Sequence, residues 1–227
     1  MEFRQPNSRR GFMETMALGA TGVSLSLLAG PLMAKEALSV KKEDLINSES
    51  WFDKIKGSHR VVYDGSTPHQ GLPIAWTYVF YMTNNMTDTP DEDMTAVCVL
   101  RHSAIPFALN DEAWKQYKLG EFFEINDNQT GNPALRNMAY MPQKGDFPVD
   151  EIQGIKQLQE RGAMFCVCDL ALKVYGGFAA QKMGLEADKV YQDWKAAVIP
   201  GIEIVPSGVW ALTRAQEKNC GYIFAGE

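Results

Sequence analysis

Histidine is scarce in this chain, with three in 227 residues, and cysteine is little commoner, with four. The close pair Cys166 and Cys168 has no second pair at zinc-finger spacing, so no full ligand set for a structural metal can be read from the sequence. Four cysteines would allow two disulfides, but their placement does not suit a framework. Cys98 and Cys166 fall in the middle of expected strands, Cys168 at a strand end and Cys220 just before the last strand. In an extended strand the α-carbons of Cys166 and Cys168 lie about 6.6 Å apart, at the limit of what a bridge tolerates. An excess of basic charge is also lacking: 22 Lys and Arg face 28 Asp and Glu, for a net charge of −6. An acidic chain is a poor partner for nucleic acid or an anionic membrane. The turn Gly65 to Gly71 lacks the lysine and hydroxyl that end a P-loop, and it lacks the spacing of a dinucleotide fingerprint. Asn126 to Gly131 only echoes a calcium loop, without its alternating acids or closing glutamate. There is no repeat and no low-complexity tract.

What is present is enough apolar sequence, 45% of residues, to bury a core without disulfides. Ser8-Arg9-Arg10-Gly11-Phe12-Met13 reads as a twin-arginine export signal, followed by an uncharged stretch from Thr15 to Ala34. Glycine, serine, threonine and proline dilute that stretch below a stable anchor, so cleavage after Ala34 and a periplasmic mature protein with no stable membrane span are expected. Losing residues 1–34 removes three arginines and two glutamates and moves the charge from −6 to −7. Residues 35–57 read as a polar segment with a short helix around Glu49 to Ile55, and residues 58–227 as one globular domain.

Within that domain strand and helix signals alternate. Strands are expected at Arg60 to Asp64, Thr95 to Leu100, Ala163 to Cys168, Gly201 to Val205 and Gly221 to Ala225. Helices are expected at Leu72 to Met86, from the Asn110 cap to Leu119, at Ile152 to Arg161, from Asp169 to Met183, at Asp188 to Val198, and from the Ser207 cap to Lys218. The alternation predicts an α/β fold of three layers, α/β/α, around a mostly parallel sheet of about five strands. Glu124 to Asp150 has little periodicity and reads as a long loop of the kind that forms lids or subunit contacts. Its aromatic and methionine residues, with Phe122 and Phe123, predict either a homo-oligomer or a lid over the sheet rim.

The chemistry is expected at strand carboxyl ends, where open α/β sheets bind ligands. Cys168 ends the third strand beside a helix amino terminus, whose dipole favours a thiolate. Cys166, one pleat deeper on the same face, is expected in the core. Arg101 and His102 end the second strand on the same rim and are candidates to assist a negative sulfur. Asp169 opposes it, because a neighbouring carboxylate raises a thiol's pKa unless it points away.

Three blocks carry a resemblance: Gly162 to Leu172 around Cys168, Gly201 to Val209 with its Val-Pro-Ser-Gly, and Ala215 to Tyr222 with Cys220. Together they resemble the DsrE/DsrF-like sulfur-relay family, in a branch carrying twin-arginine signals, over roughly Arg60 to Gly226. The resemblance implies the three-layer fold, assembly into trimers or hexamers, and a cysteine that carries sulfur as a persulfide, at the position of Cys168. No cofactor is expected. The chain departs from the compact relay members in its export signal and in the Glu124 to Asp150 insertion. Two further readings stay open: a non-catalytic periplasmic binding module on the same fold, and a soft metal or haem-linked site formed by Cys166, Cys168 and His102.

Overall fold

The structure is a computed structural model of the chain, and it describes residues 48–226. The expected export signal and its cleavage point lie outside the described residues. Five strands form one sheet: β1 (His59–Gly65), β2 (Met94–Leu100), β3 (Met164–Cys168), β4 (Ile202–Val205) and β5 (Gly221–Phe224). All pairings are parallel, in the order β4-β3-β2-β1-β5. The helices are α1 (Leu72–Asn85), α2 (Asp111–Gln116), α3 (Leu119–Phe122), α4 (Ile155–Glu160), α5 (Asp169–Met183), α6 (Ala187–Ala196) and α7 (Gly208–Glu217). Helices cover both faces of the sheet, and the three-layer α/β/α expectation holds.

The strand order explains how the layers divide. From β1 to β4 the chain steps across the sheet in one direction, and right-handed crossovers then put the intervening helices on one face. That face carries the larger core, in which Tyr63, Ile74, Trp114, Phe165 and Trp194 are buried. The step from β4 to β5 runs back across the sheet, and α7 covers the opposite face. Under it lies a smaller core of Val62, Val97, Val99, Cys166, Ala211 and Leu212, closed by Trp51 and Phe52 from the segment before β1. No helix among the described residues is long and apolar enough to cross a membrane.

Two elements are shorter than their periodicity suggests. The helix expected from Asn110 to Leu119 breaks at Lys118, whose φ of 48 places it in the left-handed region, so the chain makes α2 and then the single turn α3. The helix expected from Ile152 begins only after Gly154, whose extended backbone makes it the cap and whose missing side chain leaves room for Pro142 and the Tyr140 carbonyl. The long segment 124–150 contains neither helix nor strand, but it is not an apolar flap. Phe123, Met138 and Phe147 are buried, and the segment folds around a charged centre in which Arg136 grips the enclosed Asp146 with both nitrogens, at 2.7 and 2.5 Å. Asp127 is also paired with Arg136, at 3.1 Å, and Gln129 and the Gln143 backbone donate to Asp146.

Candidate functional site

Cys168 sits where the sequence places it, at the last position of β3 and the cap of α5. Its backbone turns there, and the thiol folds back beneath the helix so that Sγ accepts the Ala171 N–H at 3.3 Å. The Gly208 N–H at the start of α7 also favours the thiolate, and so, last in size, does the Leu170 N–H, which itself donates to the Pro206 carbonyl at 3.4 Å. Arg101 adds its charge from the end of β2. Burial still dominates: it raises the thiol pKa above its ordinary value, and the backbone donors only partly offset it. This corrects the expectation of a helix-dipole thiolate at an open rim. The sulfur rests as a thiol and the residue is 6% exposed.

The two cysteines of β3 also do not share one environment. Cys166 belongs to the small core under α7 with Val97 and Val99, whereas Cys168 packs with the larger core. The expectation of a common face fails because strand alternation ends at the residue that becomes a helix cap. Cys166 is fully enclosed, and burial pushes its pKa far up.

Arg101 is fixed by two bonds to one carboxylate, Nε to Asp64 Oδ1 at 2.6 Å and Nη2 to Oδ2 at 2.9 Å. Tyr222 donates to the same carboxylate at 2.8 Å, tying β5 to the cluster. The arginine stem lies flat on Gly208, where an added β-carbon would come within 2.5 Å of it. The glycine of the Val-Pro-Ser-Gly block is therefore the space that lets Arg101 pass over the start of α7. Asp169 points away from the thiol, accepting from Tyr191 at 2.8 and 2.9 Å, yet its charge still counts against the thiolate.

His102 takes another direction. It has a φ of 50, its Nε2 shares a 3.0 Å hydrogen bond with the Tyr175 hydroxyl, and its Nδ1 lies 3.3 Å from the Ser103 hydroxyl. None of its hydrogen-bond or ring partners is Cys168. Among the described residues no three His, Cys, Asp or Glu side chains converge as a metal-ligand set.

Sequence reasoning missed a cleft of about 630 Å³ on the same rim. Residues 67–70 after β1, Ser103 after β2, residues 122–126 and Asn128 around α3 and the long segment, and Tyr175 of α5 line it. Seven described non-glycine residues have positive φ, and four of them, His69, Gln70, His102 and Glu124, line or flank this cleft. Such conformations cost energy and gather where a structure holds side chains for a purpose. Gly71 continues the left-handed run at φ +82 with the Phe147 ring packed on it, which locks the loop after β1 against the long segment. The one available signal was the length of the unpatterned segment.

No known family model matches the chain, and no curated protein matches it. Among solved structures it is similar to a protein of unknown function from Methanobacterium thermoautotrophicum, at 17% identity over 74% of this chain and 99% of that one, with a TM-score of 0.38. A similarity that low says nothing about the site.

Proposed function

We propose that the protein is a sulfur carrier that holds a persulfide on Cys168. The observation that supports this reading is the setting of Sγ at the start of α5, where it accepts the Ala171 N–H at 3.3 Å and where the Gly208 N–H and Arg101 also favour negative charge. A buried neutral thiol has little use for a backbone donor, a helix terminus and a cation together. A persulfide anion, one sulfur longer and more acidic than a thiol, would make use of all of them. In the loading step the Cys168 thiol gives its proton to solvent and the thiolate attacks the sulfane sulfur of a donor persulfide. The new S–S bond forms as the donor's own S–S bond breaks, and the donor leaves as a thiolate. Unloading is the same exchange with an acceptor thiol attacking the terminal sulfur.

Two companion readings belong to this proposal. The carrier works in the periplasm after export through the twin-arginine pathway, on the strength of Arg9 and Arg10 in their signal context. It works as a homo-oligomer, a trimer or hexamer, assembled through β5: Tyr222, Ile223 and Phe224 are 42–47% exposed, and the strand's outer edge has no partner among the described residues.

Intact-mass analysis after treatment with a polysulfide tests the carrier reading. The wild type and Cys166→Ser are expected to gain the mass of one or more sulfur atoms at Cys168, and Cys168→Ser to gain none there while keeping its fold. An unmodified Cys168 in the folded wild type overturns the reading.

A further inference from the structure

The cleft beside the long segment has a lining that the sulfur reading does not use. Its volume falls in the range of small-molecule sites, about 300–1,000 Å³. From Phe123 to Asn128 every second residue is enclosed, Phe123, Ile125 and Asp127, while Glu124, Asn126 and Asn128 are exposed along the wall. Glu124, Asn126 and Gln70, across the cleft on the loop after β1, make no side-chain hydrogen bond within the described residues. Their positions are nevertheless fixed. Asn128 donates to the Asp146 carbonyl at 2.5 Å, the Asp146 carboxylate is held by Arg136, and the Phe147 ring clamps Gly71. Phe122 and Tyr175 supply aromatic surface in the same cavity.

The charge and hydrogen-bonding character narrow the ligand. Among the lining residues there is no lysine or arginine, and His69 is the one basic side chain beside the Glu124 carboxylate, so an anion would meet repulsion with little counter-charge. Carboxamides present donors and acceptors together, and a hydroxyl group is likewise both donor and acceptor. A simple organic cation would use the rings and Glu124 but leave the amide N–H groups of Gln70 and Asn126 unpaired. An apolar ligand would take water from these polar groups and leave them unpaired where it covers them, which costs free energy. A polyhydroxylated ring, with hydroxyls at its edge and C–H groups on its face, matches both halves of the lining.

We infer that this cleft binds a neutral saccharide, with Gln70, Glu124 and Asn126 reading its hydroxyls and Phe122 and Tyr175 taking its apolar face. The site does not include Cys168.

The test is titration of the purified full-length chain with maltose, lactose and chitobiose, with choline chloride and inorganic phosphate as comparison ligands, followed by calorimetry and ligand-observed NMR. At least one disaccharide is expected to bind, more tightly than choline or phosphate. Asn126→Ala and Phe122→Ala are each expected to weaken that binding about tenfold, the loss that goes with one hydrogen bond or one ring contact. Asn126 is exposed, so its variant keeps the fold and decides the matter should Phe122→Ala fail to fold. Cys168→Ser is expected to leave binding unchanged. No binding by any of the three sugars, tighter binding of choline or phosphate, or sugar binding indifferent to Asn126→Ala overturns the inference.

Discussion

Two regions share one sheet rim and have opposite characters. Around Cys168 the groups that matter are backbone N–H donors from two helix termini and the Arg101 guanidinium, all favouring negative charge in an enclosed space. In the cleft they are carboxamides, hydroxyls, rings and the Glu124 carboxylate, in an open space. The end of β2 divides them. Arg101 reaches Asp64 and the sulfur side, whereas His102 reaches Tyr175 and Ser103 lines the cleft, so consecutive residues serve the two regions. Adjacency in sequence brought Arg101 and His102 together as candidates, and the turn after the strand separates them.

The largest effect that would break this comparison is expected from Asp64→Ala. Asp64 is 2% exposed and holds both Arg101 and Tyr222, so its removal strands a charge and a hydroxyl together. Breaking a buried pair from one side costs about 3–5 kcal/mol, and the partial exposure of Arg101 puts this case near the lower end. Denaturant unfolding is expected to show that loss. Native-state hydrogen exchange is expected to place the loosening at β1, β5 and the start of α7, with residues 122–128 little changed.

Next in size is Gly208→Ala. The added methyl would overlap the Arg101 stem, at 2.5 and 2.7 Å from its β- and δ-carbons, so one of the two must move. Overpacking of this kind costs about 1–3 kcal/mol. Displacing Arg101 takes its charge from the sulfur, and alkylation of Cys168 is expected to become slower than in the wild type while Cys166 stays unreactive. Unchanged stability together with unchanged Cys168 reactivity would show that Arg101 does not depend on the glycine.

The layers, the five strands and the rim position of Cys168, Arg101 and His102 could all be read from the chain, because buried parallel strands and amphipathic helices leave periodic signals. Three things could not. The burial of Cys168 depends on the β4–α7 loop, which meets it across 40 positions of sequence. The break at Lys118 falls inside the helical pattern, and the nearest glycine, Gly120, lies beyond the expected end of that helix. The order in segment 124–150 comes from Arg136, Asp127 and Asp146, whose pairing is a tertiary event between residues that look like ordinary loop charges. Its aromatic and methionine residues predicted a subunit contact or a lid, but Phe123, Met138 and Phe147 turn inward, while Leu135, Met141 and Val149 stay exposed, as does β5.

Acid sharpens the contrast between the two regions. Burial alone would raise the Asp146 pKa, but Arg136, the Gln143 N–H and Gln129 outweigh it and hold the carboxyl below its ordinary 3.8. A depressed folded pKa contributes stability that is fully present above the unfolded value and is lost as pH falls through the folded one. The wall of the cleft is therefore expected to loosen only below about pH 4. Limited proteolysis by pepsin between pH 5 and 2.5 should cut within 124–150 progressively, and Asp146→Asn should remove most of that pH dependence. The thiol end moves oppositely. Burial holds the Cys168 pKa above 9.0, so its alkylation is expected to keep rising with pH beyond that value instead of reaching a plateau near neutrality.

The smallest expected effect settles where His102 belongs. Tyr175→Phe deletes the hydroxyl bonded to His102 Nε2 but keeps the ring, which packs on Phe123 and Phe178 at centroid distances of 5.3 and 6.0 Å. The phenol is a neutral partner, since burial raises its pKa, and the bond is partly exposed, so its loss is worth about 0.5–1 kcal/mol. With Nε2 released, the imidazole can turn away from the orientation that the hydroxyl and Ser103 set. If His102 serves only the cleft side, the rate of sulfur loading on Cys168 from polysulfide stays within twofold of wild type across pH 6–8. If His102 instead assists the thiol, as its rim position suggested, loading changes several-fold with an altered pH profile, and the division of the rim at β2 fails.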